Sequence, residues 1–147
     1  HRAGASVLLG TDGCSSNNNL DMFETIKIAA LAQKHATNDP TCLPAAEAWN
    51  MATTNTADAF GLNAGRIEEG RLADLILVNP RLPAFTPGYH LFSDLVYAAN
   101  GSCVDTTICD GKVLMHKGRI RGENAILAEI GAAANRLTGL PLNNGTK

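Results

Sequence analysis

The sequence predicts an α/β fold, and three stretches carry that prediction. Ser6-Val7-Leu8-Leu9 is an apolar, β-forming run of single-strand length that opens through Asp12-Gly13 into a polar loop and then a helical pattern. Glu69-Gly70 is a turn signal, and Asp74 to Val78 after it is a strand apolar on both faces, hence expected to be buried on both. Val104 to Cys109 alternates, Asp110-Gly111 supplies a two-residue turn, and Lys112 to His116 returns, which is the pattern of a tight hairpin.

A chain of 147 residues can bury one ordinary core, as a single domain or two small pieces. It is 45% hydrophobic and 18% charged with a formal net charge of −2, so no basic surplus points to nucleic acid. There is no apolar run of membrane-spanning length and no leader pattern, and the sequence opens on His1-Arg2 without an initiating Met, as an excerpt would. Cys14, Cys42, Cys103 and Cys109 form no C-x-x-C pair, which argues against a zinc knuckle and for reduced thiols in a cytoplasmic protein.

From Leu20 to about Ala36, apolar residues recur at threes and fours, predicting an amphipathic helix with Asn18 or Asn19 as its N-cap. Asp21 and Glu24 fall in its first turn, where the helix dipole favours acids, so Asp21 reads as a capping charge. Leu43-Pro44 opens a second helix with proline at its start. Thr54-Asn55-Thr56 restarts a shorter one that Gly61 ends. Pro80, Pro83 and Pro87 exclude a central strand from the next segment, and Ser93 is placed to cap a short helix from Asp94 to Ala99. Lys117-Gly118 turns the chain into Arg119-Ile120. A last helix from about Asn124 to Leu137 sets Ile126, Ile130 and Leu137 on one side, and the residues after Thr138 read as a frayed tail.

Asp12 stands where a strand opens into a loop, the place at which ligands and chemistry gather in α/β architectures. An Asp-Gly pair is equally a plain turn, and a Ser/Asn run is equally a helix-capping region, so the residues alone leave both readings open. Asp74 reads as a turn residue, while His90 and His116 have no second histidine at ligand spacing.

The string Ala3-Gly4-Ala5-Ser6-Val7, Leu9-Gly10-Thr11-Asp12-Gly13 and Ser16-Asn17-Asn18-x-Leu20-Asp21-Met22 resembles the last barrel strand of the amidohydrolase superfamily. Within it, the match is to the branch of S-adenosylhomocysteine and 5′-methylthioadenosine deaminases and their triazine-chlorohydrolase relatives. It continues through Met51-Ala52-Thr53, Ala59-Phe60-Gly61-Leu62 and the Gly65 to Val78 segment. The resemblance implies the C-terminal part of a (β/α)8 TIM barrel. Residues 1–64 would give the last barrel strand and sealing helices, 65–121 part of a small composite β-sandwich, and 122–147 a C-terminal helix and tail.

The resemblance also implies an activity. The parent enzyme would hydrolyse the C6 amino group of an adenosine derivative, with one divalent metal ion, zinc, activating water. Asp12 would both ligate the metal and move the proton, and Ser16 would reach the purine. Asn17 and Asn18 match the motif and read as loop-shaping residues through side-chain-to-backbone bonds. The family's His-x-His pair and its other ligands have no counterpart in this sequence, so the fragment alone is expected to be inactive and prone to self-association or homo-oligomer formation. The zinc signature H-x-E…P-C-x-x-C, a Walker loop and a G-x-S-x-G elbow are all absent. Two rival readings remain: a chlorohydrolase or other aminohydrolase of the same superfamily, and a self-standing, non-catalytic assembly module.

Overall fold

A computed structural model describes residues 3–140 of the chain. The order is helical first and sheet second. Helices α1 (Cys14–Asn17), α2 (Met22–Thr37), α3 (Ala45–Ala52) and α4 (Thr54–Ala59) precede strand β1 (Leu75–Val78). A 3-10 turn at Pro83–Phe85 and helix α5 (Leu91–Ser93), continued by a π-turn at Asp94–Ala98, lead into β2 (Val104–Cys109), β3 (Lys112–His116), β4 (Arg119–Ile120) and α6 (Glu123–Thr138). The expected fraying after Thr138 falls largely outside the described residues.

The four strands form one antiparallel sheet in sequence order. Leu75 faces Ile108 and Leu77 faces Thr106 across β1 and β2, and Cys109 faces Lys112 at the hairpin end. Asp110 and Gly111 both take positive φ, 48° and 72°, as a tight turn matched to the strands' right-handed twist requires. The Asp74 carboxylate accepts from the Asp110 amide at 2.7 Å, which makes it the turn residue its sequence context indicates.

Two apolar clusters form the core, the first joining helices to the sheet and the second joining helices to one another. Phe23, Phe85, Leu95, Ala99 and Cys103 form the first, with Val78 and Val104 packed on it from the strands. Ile26, Ala30, Ala48 and Val96 form the second. Trp49 packs against both, its ring 5.9 Å from that of Phe23, so one large side chain welds α2 and α3. The turn between these helices is held by Lys34, whose ammonium donates to the carbonyls of Pro40, Cys42 and Leu43 at 3.0, 2.5 and 3.2 Å.

The structure corrects the sequence reading at several points. Ser6 to Leu9 does not form the expected strand: among the described residues it is tied to the body by Leu9 N–H donating to the Met51 carbonyl at 3.1 Å, and the sheet lies elsewhere. A β-forming run becomes a strand only where another strand offers its edge. β1 is not covered on both faces either: it is an edge strand, with Ile76 and Leu77 about half exposed. The N-cap of α2 is Asp21, not Asn18 or Asn19, because Asn18 is spent in the left-handed conformation that ends α1. The helix read as starting after Ser93 starts at Leu91, leaving Ser93 inside it.

α6 covers the expected span, yet Ile126, Ile130 and Leu137 are all more than half exposed. Its apolar side is unpacked among the described residues. No described helix is long and apolar enough to cross a membrane.

Candidate active site

The loop that carries Asp12 folds on itself. Gly13, extended, precedes the single turn α1, and its carbonyl accepts the amides of Ser16 and Asn17, both at 3.0 Å. Asn18 then closes the turn in a left-handed conformation, donating to Cys14 at 3.0 Å. The sequence shows a polar loop here and hides the turn, because Ser, Asn and Cys are poor helix formers whose side chains compete for backbone groups.

Asp12 itself is exposed and has φ +58°, a left-handed conformation that Asp tolerates better than most residues. Its Oδ1 accepts the Gly13 amide at 2.6 Å, which orients the carboxylate. Oδ2 has no partner among the described residues. The preceding carbonyl, that of Thr11, accepts from Asn17 Nδ2 at 2.9 Å, while the Thr11 hydroxyl donates to the Asp12 carbonyl at 3.1 Å.

Asp12 and Ser16 line the same open recess of about 400 Å³, walled by Gly10, Thr11 and Asn17 on the loop side and by Thr25, Ile28 and Ala29 of α2 opposite. The two residues singled out from the sequence therefore meet at one surface. The bond from Asn17 to Thr11 is the feature that sequence reasoning reached only in kind: a loop-shaping amide was legible, its partner six residues back was not.

Elsewhere, the described histidines take structural places. His35 lies in the last turn of α2, His90 precedes α5, and His116 Nδ1 stands 3.2 Å from the buried Thr106 hydroxyl. Arg66 clamps Asp58 with two bonds of 2.7 Å, which holds that carboxyl below its ordinary range and the guanidinium above its own. The Asp74 carboxylate pushes the Cys109 thiol up.

Residues 1–114 match the amidohydrolase family. The chain belongs to that family. Among curated relatives, this amidohydrolase chain is 58% identical over 135 residues to a 5′-deoxyadenosine deaminase of Methanoregula boonei, covering 92% of the chain and 30% of the relative. It is 46% identical over 141 residues to 5-methylthioadenosine/S-adenosylhomocysteine deaminase 1 of Archaeoglobus fulgidus, covering 94% and 33%. Among solved structures, an adenosine deaminase from Xanthomonas campestris with bound zinc matches with a TM-score of 0.88 at 34% identity, over 95% of this chain and 33% of that one. An atrazine chlorohydrolase from Arthrobacter aurescens complexed with zinc matches with a TM-score of 0.73 at 26% identity, over 89% and 30%. The chain thus spans about a third of the length of these relatives, and its fold is that of an amidohydrolase portion mixing helix and sheet.

Zinc accepts carboxylate oxygen, and Asp12 Oδ2 is exposed and free of protein partners, so one ligand position fits. Among the described residues no group of three or more His, Cys, Asp or Glu side chains is gathered to complete a site. Among the described residues, Asp12 Oδ2 is the carboxylate oxygen that the recess leaves open to such an ion.

Proposed function

We propose that the whole protein carrying this chain is a metal-dependent hydrolase that removes the C6 amino group of an adenosine derivative. The substrate class is a 5′-deoxy or 5′-thio-substituted adenosine, including 5′-methylthioadenosine and S-adenosylhomocysteine. What carries the reading is the 58% identity to a 5′-deoxyadenosine deaminase in a chain whose Asp12 and Ser16 share one recess.

A bound divalent ion would lower the pKa of its water toward neutrality. Asp12 is the residue of this chain that would hold such an ion, and its carboxylate would take a proton from the attacking water. As the C6–O bond forms and the C6–N bond breaks, Asp12 returns the proton to the departing nitrogen, which leaves as ammonia and yields a 6-oxopurine. The Gly13 amide on Oδ1 holds the carboxylate so that Oδ2 stays aimed outward. Ser16, with its hydroxyl free to donate or accept, binds the purine.

In the whole protein we assign residues 1–64 to the end of the barrel, 65–121 to the β-sandwich and 122–147 to the C-terminal helix and tail. There, Ser6 to Leu9 would find the strand neighbours that the isolated chain does not give it. The chain by itself is inactive and self-associates through exposed apolar residues such as Ile126, Ile130 and Leu77. The protein works in the cytoplasm on small molecules, without nucleic acid. Chlorohydrolysis is the weaker reading, since identity to the atrazine enzyme is 26% against 34% for the adenosine deaminase structure.

The test is Asp12→Ala in the intact protein, assayed with 5′-deoxyadenosine and 5′-methylthioadenosine. Removing a proton-shuttling metal ligand should lower kcat by at least about 1,000-fold, within the range of general acid–base effects. Turnover within tenfold of wild type, with folding unchanged, overturns the assignment.

A further inference from the structure

We propose that Asn17 is a positioning residue for Asp12, acting through the carbonyl of Thr11; the inference rests on the role assigned above to Asp12. Three observations converge on it. Asp12 takes φ +58°, a region that Asp tolerates but that still disfavours a residue with a Cβ relative to the ordinary right-handed and extended ones. The peptide group that joins Thr11 to Asp12 is the one whose rotation would carry Asp12 out of that region. Its oxygen is the atom that Asn17 Nδ2 grips at 2.9 Å.

The geometry explains why a residue five places away governs the carboxylate. A crankshaft turn of the Thr11–Asp12 peptide changes ψ of Thr11 and φ of Asp12 together and swings the Cα–Cβ bond of Asp12 to a new direction. Asn17 blocks that turn from a fixed base, because α1 anchors its backbone to Gly13 at 3.0 Å. The Gly13 amide then holds Oδ1 at 2.6 Å, so the whole side chain is set from Asn17 to Thr11 to Asp12. A side-chain donor is essential at position 17. Aspartate there has the same shape and no N–H to give.

The experiment compares the full-length wild type with Asn17→Asp, Asn17→Ala and Asp12→Ala. Amide-hydrogen exchange is read at Gly13, whose N–H reports the Asp12 contact, and zinc affinity is read by chelator competition. In Asn17→Asp and Asn17→Ala, exchange at Gly13 should rise at least about tenfold while amides in the middle of α2 stay protected. Zinc affinity should fall about tenfold, within the loss typical for groups that orient a metal ligand. It should not fall further when either change is added to Asp12→Ala. In steady-state kinetics kcat should drop with KM nearly unchanged.

A rise in KM at constant kcat would make Asn17 a direct substrate contact and overturn the proposal. So would unchanged exchange at Gly13, or an equal further loss of zinc affinity in the Asp12→Ala background. If Asp12→Ala alone keeps both turnover and zinc affinity, the functional assignment fails, and exchange at Gly13 still decides whether Asn17 sets the conformation of Asp12.

Discussion

The Asp21 carboxylate accepts the Gly101 amide at 2.8 Å, joining the start of α2 to the turn that feeds β2. The same group caps α2 through Oδ1, which accepts Phe23 and Glu24 amides at 2.9 and 3.3 Å. A Cβ at position 101 would lie 3.2 Å from Oδ2, so glycine permits the approach. One acid thus ties the helical half of the chain to the sheet half, at the helix that walls the Asp12 recess.

Asp21→Ala should therefore destabilise the chain by about 2 kcal/mol, roughly one for the lost cap and one for the lost bond to Gly101. Asp21→Asn keeps one acceptor oxygen and should cost about half as much. Urea denaturation of the three proteins checks this. A loss below about 0.5 kcal/mol for the alanine variant would show that the junction is not held here.

Gly65→Ala is expected to be worse than a surface change of its size. Gly65 has φ +81°, and an added Cβ would meet Ala57 Cβ at 2.8 Å and the Thr53 carbonyl at 3.1 Å. Both strain and overlap act against it, and the loss should be about 2–3 kcal/mol. Thermal melts would show it directly, and a melting temperature unchanged from wild type would refute the steric argument.

The Asp58–Arg66 pair gives a pH signature. Arg66 lowers the carboxyl pKa in the folded state, so protons bind the unfolded chain more readily. The contribution of the pair is fully present above the ordinary aspartate range and disappears as pH falls through the lowered folded value. Asp58→Asn should thus narrow its stability gap from wild type on going from neutral pH to strongly acidic solution. Because the pair is exposed, added salt should also shrink that gap at neutral pH. A gap that is constant with pH would contradict the assignment.

Ser16→Ala tests the proposed contact of Ser16 with the purine in the intact protein. If Ser16 bonds the purine as proposed, losing that hydrogen bond corresponds to about 1–1.5 kcal/mol, or roughly tenfold in kcat/KM. Zinc affinity should not change. A drop in zinc content with unaltered KM would move Ser16 from substrate binding to support of the loop.

Legibility followed the range of the interactions. The hairpin was readable because Asp110-Gly111 and the alternation of Val104 to Cys109 lie within a dozen residues and determine the register between them. Asp21 was readable only as a first-turn charge behind an Asn18 or Asn19 cap, and the structure makes it the N-cap itself. Ser6 to Leu9 carries equally good local signals, but pairing needs a partner strand, and the chain's own sheet is made from Leu75 onward. β1 looked fully covered because its residues are apolar, whereas coverage depends on what lies against Ile76 and Leu77. In the candidate site, Asp12 and Ser16 were identified by their place in an extended motif. The bond between Asn17 and Thr11 depended on a turn that weak helix formers gave no sign of.

The seven residues from Thr11 to Asn17 satisfy one another, through the grip on Thr11, the clasp of Gly13 on Asp12 and the single turn between them. The aim of the acid is consequently a property of a heptapeptide rather than of the wall it stands on. Such a unit is portable: transplanted to the end of a strand in another scaffold, it should present its carboxylate at the same angle.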